Sequence, residues 1–65
     1  MRITVNGESR TTKATSLEEL CTELGFLDAK IATARNGDFV PAKVRAKVAL
    51  ADGDAIEIVS PRQGG

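Results

Sequence analysis

Two Asn-Gly pairs, Asn6-Gly7 and Asn36-Gly37, constrain the fold of this chain more than any other feature. Both residues of such a pair tolerate positive φ, which the type I′ turn requires, and that turn's twist matches two antiparallel strands. Ahead of the first pair, Met1, Ile3 and Val5 alternate with Arg2, Thr4 and Asn6, the period of a half-buried strand. Glu8–Lys13 reads as its antiparallel return. That segment has little to bury, so it belongs at a sheet edge, where its charges discourage edge-to-edge association. Around the second pair, Ile31–Arg35 reads as a strand and Asp38-Phe39-Val40 as its return. Pro41 ends that pairing because it has no N–H for a ladder. Asp52-Gly53-Asp54 reads as a turn into a last strand, Ala55–Val59, with Ile56 and Ile58 on one face and Pro61 closing it.

A different period begins at Ser16. Leu17, Leu20, Cys21 and Leu24 fall at i, i+3, i+4 and i+7, one stripe of an α-helix. Ser16 with Glu19, or Thr15 with Glu18, fits a capping box, and the acidic pair suits the positive end of the helix dipole. Gly25 suits the left-handed stop, after which Phe26 can fold back towards Cys21. Ala42–Leu50, with Val44, Val48 and Leu50, is either a short irregular segment under the sheet or a short helix. One helix covers only one face of a sheet. The expected class is therefore α+β: a mixed four- to five-stranded sheet with one helix on one face, a β-grasp-like arrangement. A ferredoxin-like split would need a second full helix, and Ala42–Leu50 is a weak candidate. The expected division is a domain over residues 1–60 and a C-terminal tail over 61–65.

A chain of 65 residues makes one small domain, with no volume to spare for a deep catalytic pocket. Nine basic residues balance nine acidic ones, which leaves no electrostatic footprint for nucleic acid or an anionic membrane. His, Trp and Tyr are absent, so there is no base poised near neutral pH and little aromatic surface for stacking on bases. A single cysteine excludes an internal disulfide and a Cys/His metal cage. Met1–Ser9 is charged and alternating, unlike a signal peptide, and no apolar run approaches the ~20 residues of a membrane span. The expectation is a cytoplasmic, non-enzymatic protein, monomeric alone, with neither nucleic acid nor membrane as partner and no cofactor or metal of its own.

Few residues are left to carry chemistry. Asp52 and Asp54 flank Gly53 but lack the further oxygen ligands of a calcium loop, so they read as turn formers. Cys21 sits on the apolar stripe; a buried thiol there is a small hydrophobe, an exposed one a sulfur-handling group. Lys43, Arg45 and Lys47 alternate with Val44, Ala46 and Val48, as a solvated strand face or a partner-facing patch would. The most pointed feature is the terminal Arg62-Gln63-Gly64-Gly65. Gly64 and Gly65 have no Cβ, so this tip can enter a channel too narrow for other residues. An α-carboxylate at Gly65 is ionised at neutral pH and can attack an activated phosphate. A partner holding ATP would turn it into an acyl-adenylate, and a sulfur nucleophile displacing AMP would leave a thiocarboxylate.

These residues resemble the ThiS-type sulfur carriers of thiamine (thiazole) biosynthesis, ubiquitin-like β-grasp proteins. The resemblance covers the whole chain. It rests on Met1-Arg2-Ile3-Thr4-Val5-Asn6-Gly7, on Leu17-Glu18-Glu19-Leu20 and on Asn36-Gly37-Asp38-Phe39-Val40-Pro41. Most specific is Asp52-Gly53-Asp54-Ala55-Ile56-Glu57-Ile58-Val59 ahead of Gly64-Gly65. The resemblance implies that an E1-like adenylyltransferase activates Gly65 with ATP and magnesium, that a sulfur-relay protein supplies a persulfide, and that thiazole synthase takes the sulfur. It implies that the exposed sheet face docks on partners and that Arg62, Gln63 and Gly64 occupy the partner's channel. Ser60-Pro61-Arg62-Gln63 replaces the small or aliphatic residues usual before the Gly pair, and Thr33 and Arg35 stand where aliphatic residues are common. Three other destinies stay open: a sulfur carrier for another product, such as molybdopterin or cysteine, a ubiquitin-like protein modifier, and a plain interaction module whose tail is inert.

Overall fold

The computed structural model describes residues 1–26 and 30–60. The chain runs β1 (Arg2–Val5), β2 (Glu8–Thr11), α1 (Leu17–Glu23), β3 (Ala32–Arg35), β4 (Asp38–Val40), a 3-10 helix (Ala42–Lys47) and β5 (Ala55–Val59). The strands form one five-stranded sheet in the order β2-β1-β5-β3-β4. Both Asn-Gly turns behave as expected. Asn6 and Asn36 each have φ of 52°, Gly7 and Gly37 have φ of 84° and 88°, and each pair closes an antiparallel hairpin. The first and last strands meet at the centre and run parallel, so β5 fills the gap between the two hairpins.

The core lies between one sheet face and α1. Ile3, Val5, Ile56 and Ile58 from the sheet pack with Leu17, Leu20 and Cys21 from the helix, closed by Ala14, Val40 and Leu50. Ser16 caps α1, its Oγ accepting from the Glu19 N–H at 3.1 Å. Glu19 reaches back further than a simple capping box, its carboxylate accepting from both the N–H and the hydroxyl of Thr15. These bonds favour the charged carboxylate and lower its pKa. At the other end, Gly25 N–H donates to Thr22 O and Phe26 N–H to Cys21 O, the paired bonds of a Schellman stop. Phe26 folds back onto the core as anticipated.

Strand boundaries depart from the sequence reading, and the alternative left open at Ala42–Leu50 is resolved. β2 stops at Thr11 rather than Lys13, because Thr12 turns inward and is buried. Its hydroxyl donates to the Glu23 carboxylate and accepts from the Ala14 N–H, which swings the chain towards the helix. The third strand begins at Ala32, one residue late. Ala42–Leu50 resolves into a 3-10 helix over Ala42–Lys47, followed by a return past the start of α1. There Leu17 N–H donates to Val48 O and Leu50 N–H to Thr15 O, which ties the helix entry to this segment.

Candidate functional site

Strand alternation gives the sheet a second face, opposite α1. The pairings Thr4↔Ala55, Ala34↔Glu57, Ala32↔Val59 and Ala34↔Phe39 place these residues together on it. It is a face of small side chains with two apolar projections. Phe39 is 68% exposed and Val59 56% exposed. Ala32 and Ala34 of β3 lie between them and leave a shallow groove of about 240 Å³, with Asn6 and Glu57 along its lining. Exposed Phe and Val are costly in water and valuable once covered, so this is the part of the described surface that gains most from a partner.

β5 ends at Val59, on the rim of this groove, and Ser60 follows. The tail residues singled out from the sequence, Arg62, Gln63, Gly64 and Gly65, lie outside the described residues, as does Pro61. The described chain ends at Ser60, directly after β5.

Other candidates take structural roles. Cys21 is buried at 4% exposure, and desolvation pushes its thiol pKa up. Both observations favour the core reading over a sulfur-handling thiol. Asp52 accepts from the Arg2 N–H at 2.7 Å and holds the turn before β5 against β1. Asp54 does more than form that turn. Buried at 5% exposure, it accepts from Arg35 Nε at 2.7 Å, Asn36 Nδ2 at 3.0 Å and the Ala51 N–H at 2.8 Å. The Arg35 hydrogen bond leads in holding its pKa down, to about 2, against an opposing desolvation cost. Among the described residues no group of three or more His, Cys, Asp or Glu could hold a metal ion, and no helix is long and apolar enough to cross a membrane.

The alternating segment Lys43–Lys47 is not a strand face. Within the 3-10 helix, Arg45 folds over β3, its Nη2 donating to Ile31 O at 2.7 Å and its Nε to Thr33 Oγ1 at 3.0 Å, while Lys43 and Lys47 are exposed. The Thr33 hydroxyl in turn donates to Val40 O. This shows why a polar Thr33 sits on the core face at 1% exposure: it bridges two elements with every bond made. Two features of the structure escaped the sequence reading. The groove shared by Phe39 and Val59 appears only with the sheet order. The side chains of Asn6 and Asn36, to which the sequence reading gave no bonding role, both reach β5.

A sheet with its first and last strands parallel at the centre and a single α-helix across one face is a β-grasp fold, the ubiquitin-like class. A sequence model of the ThiS family matches residues 3–65, and the chain belongs to that family. It is similar to the crystal structure of the thiamine biosynthesis protein ThiS from Geobacter metallireducens, with a TM-score of 0.81 and 26% identity over 92% of this chain and 93% of that one. The solution structure of a thiamine biosynthesis protein from the same organism gives 0.76 and 25%, over 91% and 81% of the two chains. A thiazole synthase from Paramagnetospirillum magneticum is 42% identical over 66 residues, covering all of this chain. This chain spans 20% of that relative's length.

Proposed function

We propose that this chain is a sulfur carrier for thiazole formation in thiamine biosynthesis, a substrate of its partner enzymes rather than a catalyst. Gly65 is the modified residue, and residues 61–65 form the tail that enters a partner's channel. Membership of the ThiS family is the single observation that carries the reading. The stretch of a thiazole synthase that resembles this chain supports that enzyme as the acceptor of the sulfur.

The chemistry follows from a carboxylate on a narrow tip. In the active site of an E1-like enzyme, a Gly65 carboxylate oxygen attacks the α-phosphorus of ATP, and pyrophosphate leaves with magnesium balancing its charge. The terminal sulfur of a relay protein's persulfide then attacks the acyl carbon, and AMP departs. A thiol attacking the relay cysteine's own sulfur in the resulting acyl disulfide expels the thiocarboxylate and leaves a disulfide between that thiol and the relay cysteine. Thiazole synthase takes the sulfur from that thiocarboxylate. The partners supply ATP, metal and oxyanion stabilisation; this chain supplies the carboxylate and a docking face. The Phe39–Val59 groove lies beside the root of the tail, so one partner can cover it while holding the tip.

Incubation with ATP, magnesium and the adenylating enzyme tests the reading. Intact mass is expected to show an AMP adduct on the native chain and none when Gly65 is deleted. An adduct that survives the deletion, or none on the native chain, would refute it.

A further inference from the structure

β5 has a neighbour on each side, and the two support it unequally. β3 pairs along its full length, from Ala32↔Val59 to Arg35↔Ile56. β1 pairs only at Thr4↔Ala55 and Val5↔Ile56, because the chain turns away at Asn6-Gly7. The Asn6 N–H makes β1's last backbone bond to β5, to Ile56 O at 2.9 Å. A longer β1 would next bond the peptide groups of Ile58. The Asn6 carboxamide takes that place. Its Nδ2 donates to Ile58 O at 3.0 Å, and its Oδ1 accepts from the Ile58 N–H at 2.9 Å. The side chain acts as one more peptide unit of β1.

The other hairpin makes the same device at the opposite end. Asn36 Oδ1 accepts from the Ala55 N–H at 2.8 Å, and its Nδ2 goes to the Asp54 carboxylate. Asn36 therefore secures the start of β5, whereas Asn6 secures the end that leads into the tail. Only Asn does this at a positive φ: Gly has no side chain, and an ionised Asp has no donor for Ile58 O.

We propose that Asn6 is a positioning residue for the tail. Through the Ile58 peptide it holds the end of β5 from which the chain runs on to Gly65, and so sets the base against which an adenylating site must place that residue. The proposal rests on the reading of Gly65 as the activated residue. Five residues extended in a channel span up to about 17 Å, so a swing of ~20° at the root displaces the tip by about 6 Å. In-line attack on a phosphate needs placement far finer than that.

Asn6→Gly tests this, because Gly keeps the positive φ and removes only the carboxamide. Asn36→Gly is the matched control at the other end of β5. Two readouts are taken on the full chain: amide exchange at Ile58, and steady-state adenylation by the E1-like enzyme with ATP and magnesium. Asn6→Gly is expected to speed Ile58 exchange and to lower kcat about tenfold with KM held within about twofold, the size expected for losing two hydrogen bonds to one peptide. Asn36→Gly is expected to leave Ile58 exchange and kcat near their native values. Unchanged Ile58 exchange in Asn6→Gly would overturn the proposal. So would native kcat despite faster exchange, or an equal loss of kcat in both variants, which would mark a general effect of stability. A native chain that is never adenylated would refute the functional reading itself, and with it the role given to Asn6.

Discussion

The two faces of the sheet are cut from the same five strands and obey opposite rules. The inner face presents Ile3, Val5, Ile56 and Ile58 to α1, all buried. The outer face presents Thr4, Ala55, Ala32, Ala34 and Glu57, with Phe39 and Val59 standing clear of them. Burial of branched side chains makes the inner face the source of stability. Small residues between two exposed apolar ones make the outer face nearly irrelevant to folding and well suited to being covered. A change on the inner face should therefore damage the fold and spare docking per folded molecule, and a change on the outer face should do the reverse.

The largest expected effect lies on the inner side. Leu20, fully buried, contacts the sheet from the middle of α1. Leu20→Ala is expected to cost about 3 kcal/mol in denaturant unfolding, through lost transfer energy and the cavity left behind. Much of the stability of so small a domain would go with it.

The Asp54 cluster, at the entrance to β5, comes next. Its folded pKa of about 2 lies below the ordinary aspartate value of 3.8. The stabilisation is fully present above the unfolded value and is lost as pH falls from about 4 through about 2, worth about 2 kcal/mol at neutral pH. Asp54→Asn is expected to lower neutral-pH stability by roughly that amount and to flatten the acid limb of stability against pH over that window. Denaturant melts at a series of pH values read both. An unaltered acid limb would remove Asp54 from the account.

Cys21→Ser is expected to cost about 1 kcal/mol, as a hydroxyl replaces a thiol in an apolar site. Sulfur transfer by the folded variant should match the native chain. Loss of transfer with normal folding would restore the thiol to the chemistry.

The smallest effect on folding is expected on the outer face. Phe39→Ser should change stability by no more than about 0.5 kcal/mol, since the ring is largely in water already. Its adenylation should instead show a raised KM, several-fold or more. If Phe39→Ser unfolds the protein while partner kinetics stay native, the division between the faces is wrong.

That division also explains what could be read from the sequence. Ile3 and Val5, Ile56 and Ile58, and Leu17, Leu20 and Cys21 announce themselves by period, and the Asn-Gly pairs announce the hairpins. The inner face was legible because burial imposes a pattern along each strand. The outer face imposes none. Phe39 and Val59 are far apart in sequence and share a groove only because β3 lies between β4 and β5. Thr33 looked out of place because its partners, Arg45 and Val40 O, come from other elements. A short helix at Ala42–Leu50 was one of two readings the local pattern left open, because the partners that anchor Arg45, Ile31 O and Thr33, lie in another part of the chain. Asn6 read as the last position of a strand and the first of a turn, and nothing local reveals that its amide extends that strand. Gly64 and Gly65 stood out for the chemistry proposed for them, and they lie outside the described residues.

Intact mass of the untagged protein from sulfur-replete, thiamine-producing cells tests the central claim most directly. The account predicts a fraction heavier by the difference between sulfur and oxygen, the change mapping to the carboxyl group of Gly65. An exclusively unmodified chain, or one joined through Gly65 to lysines of other proteins, would contradict it.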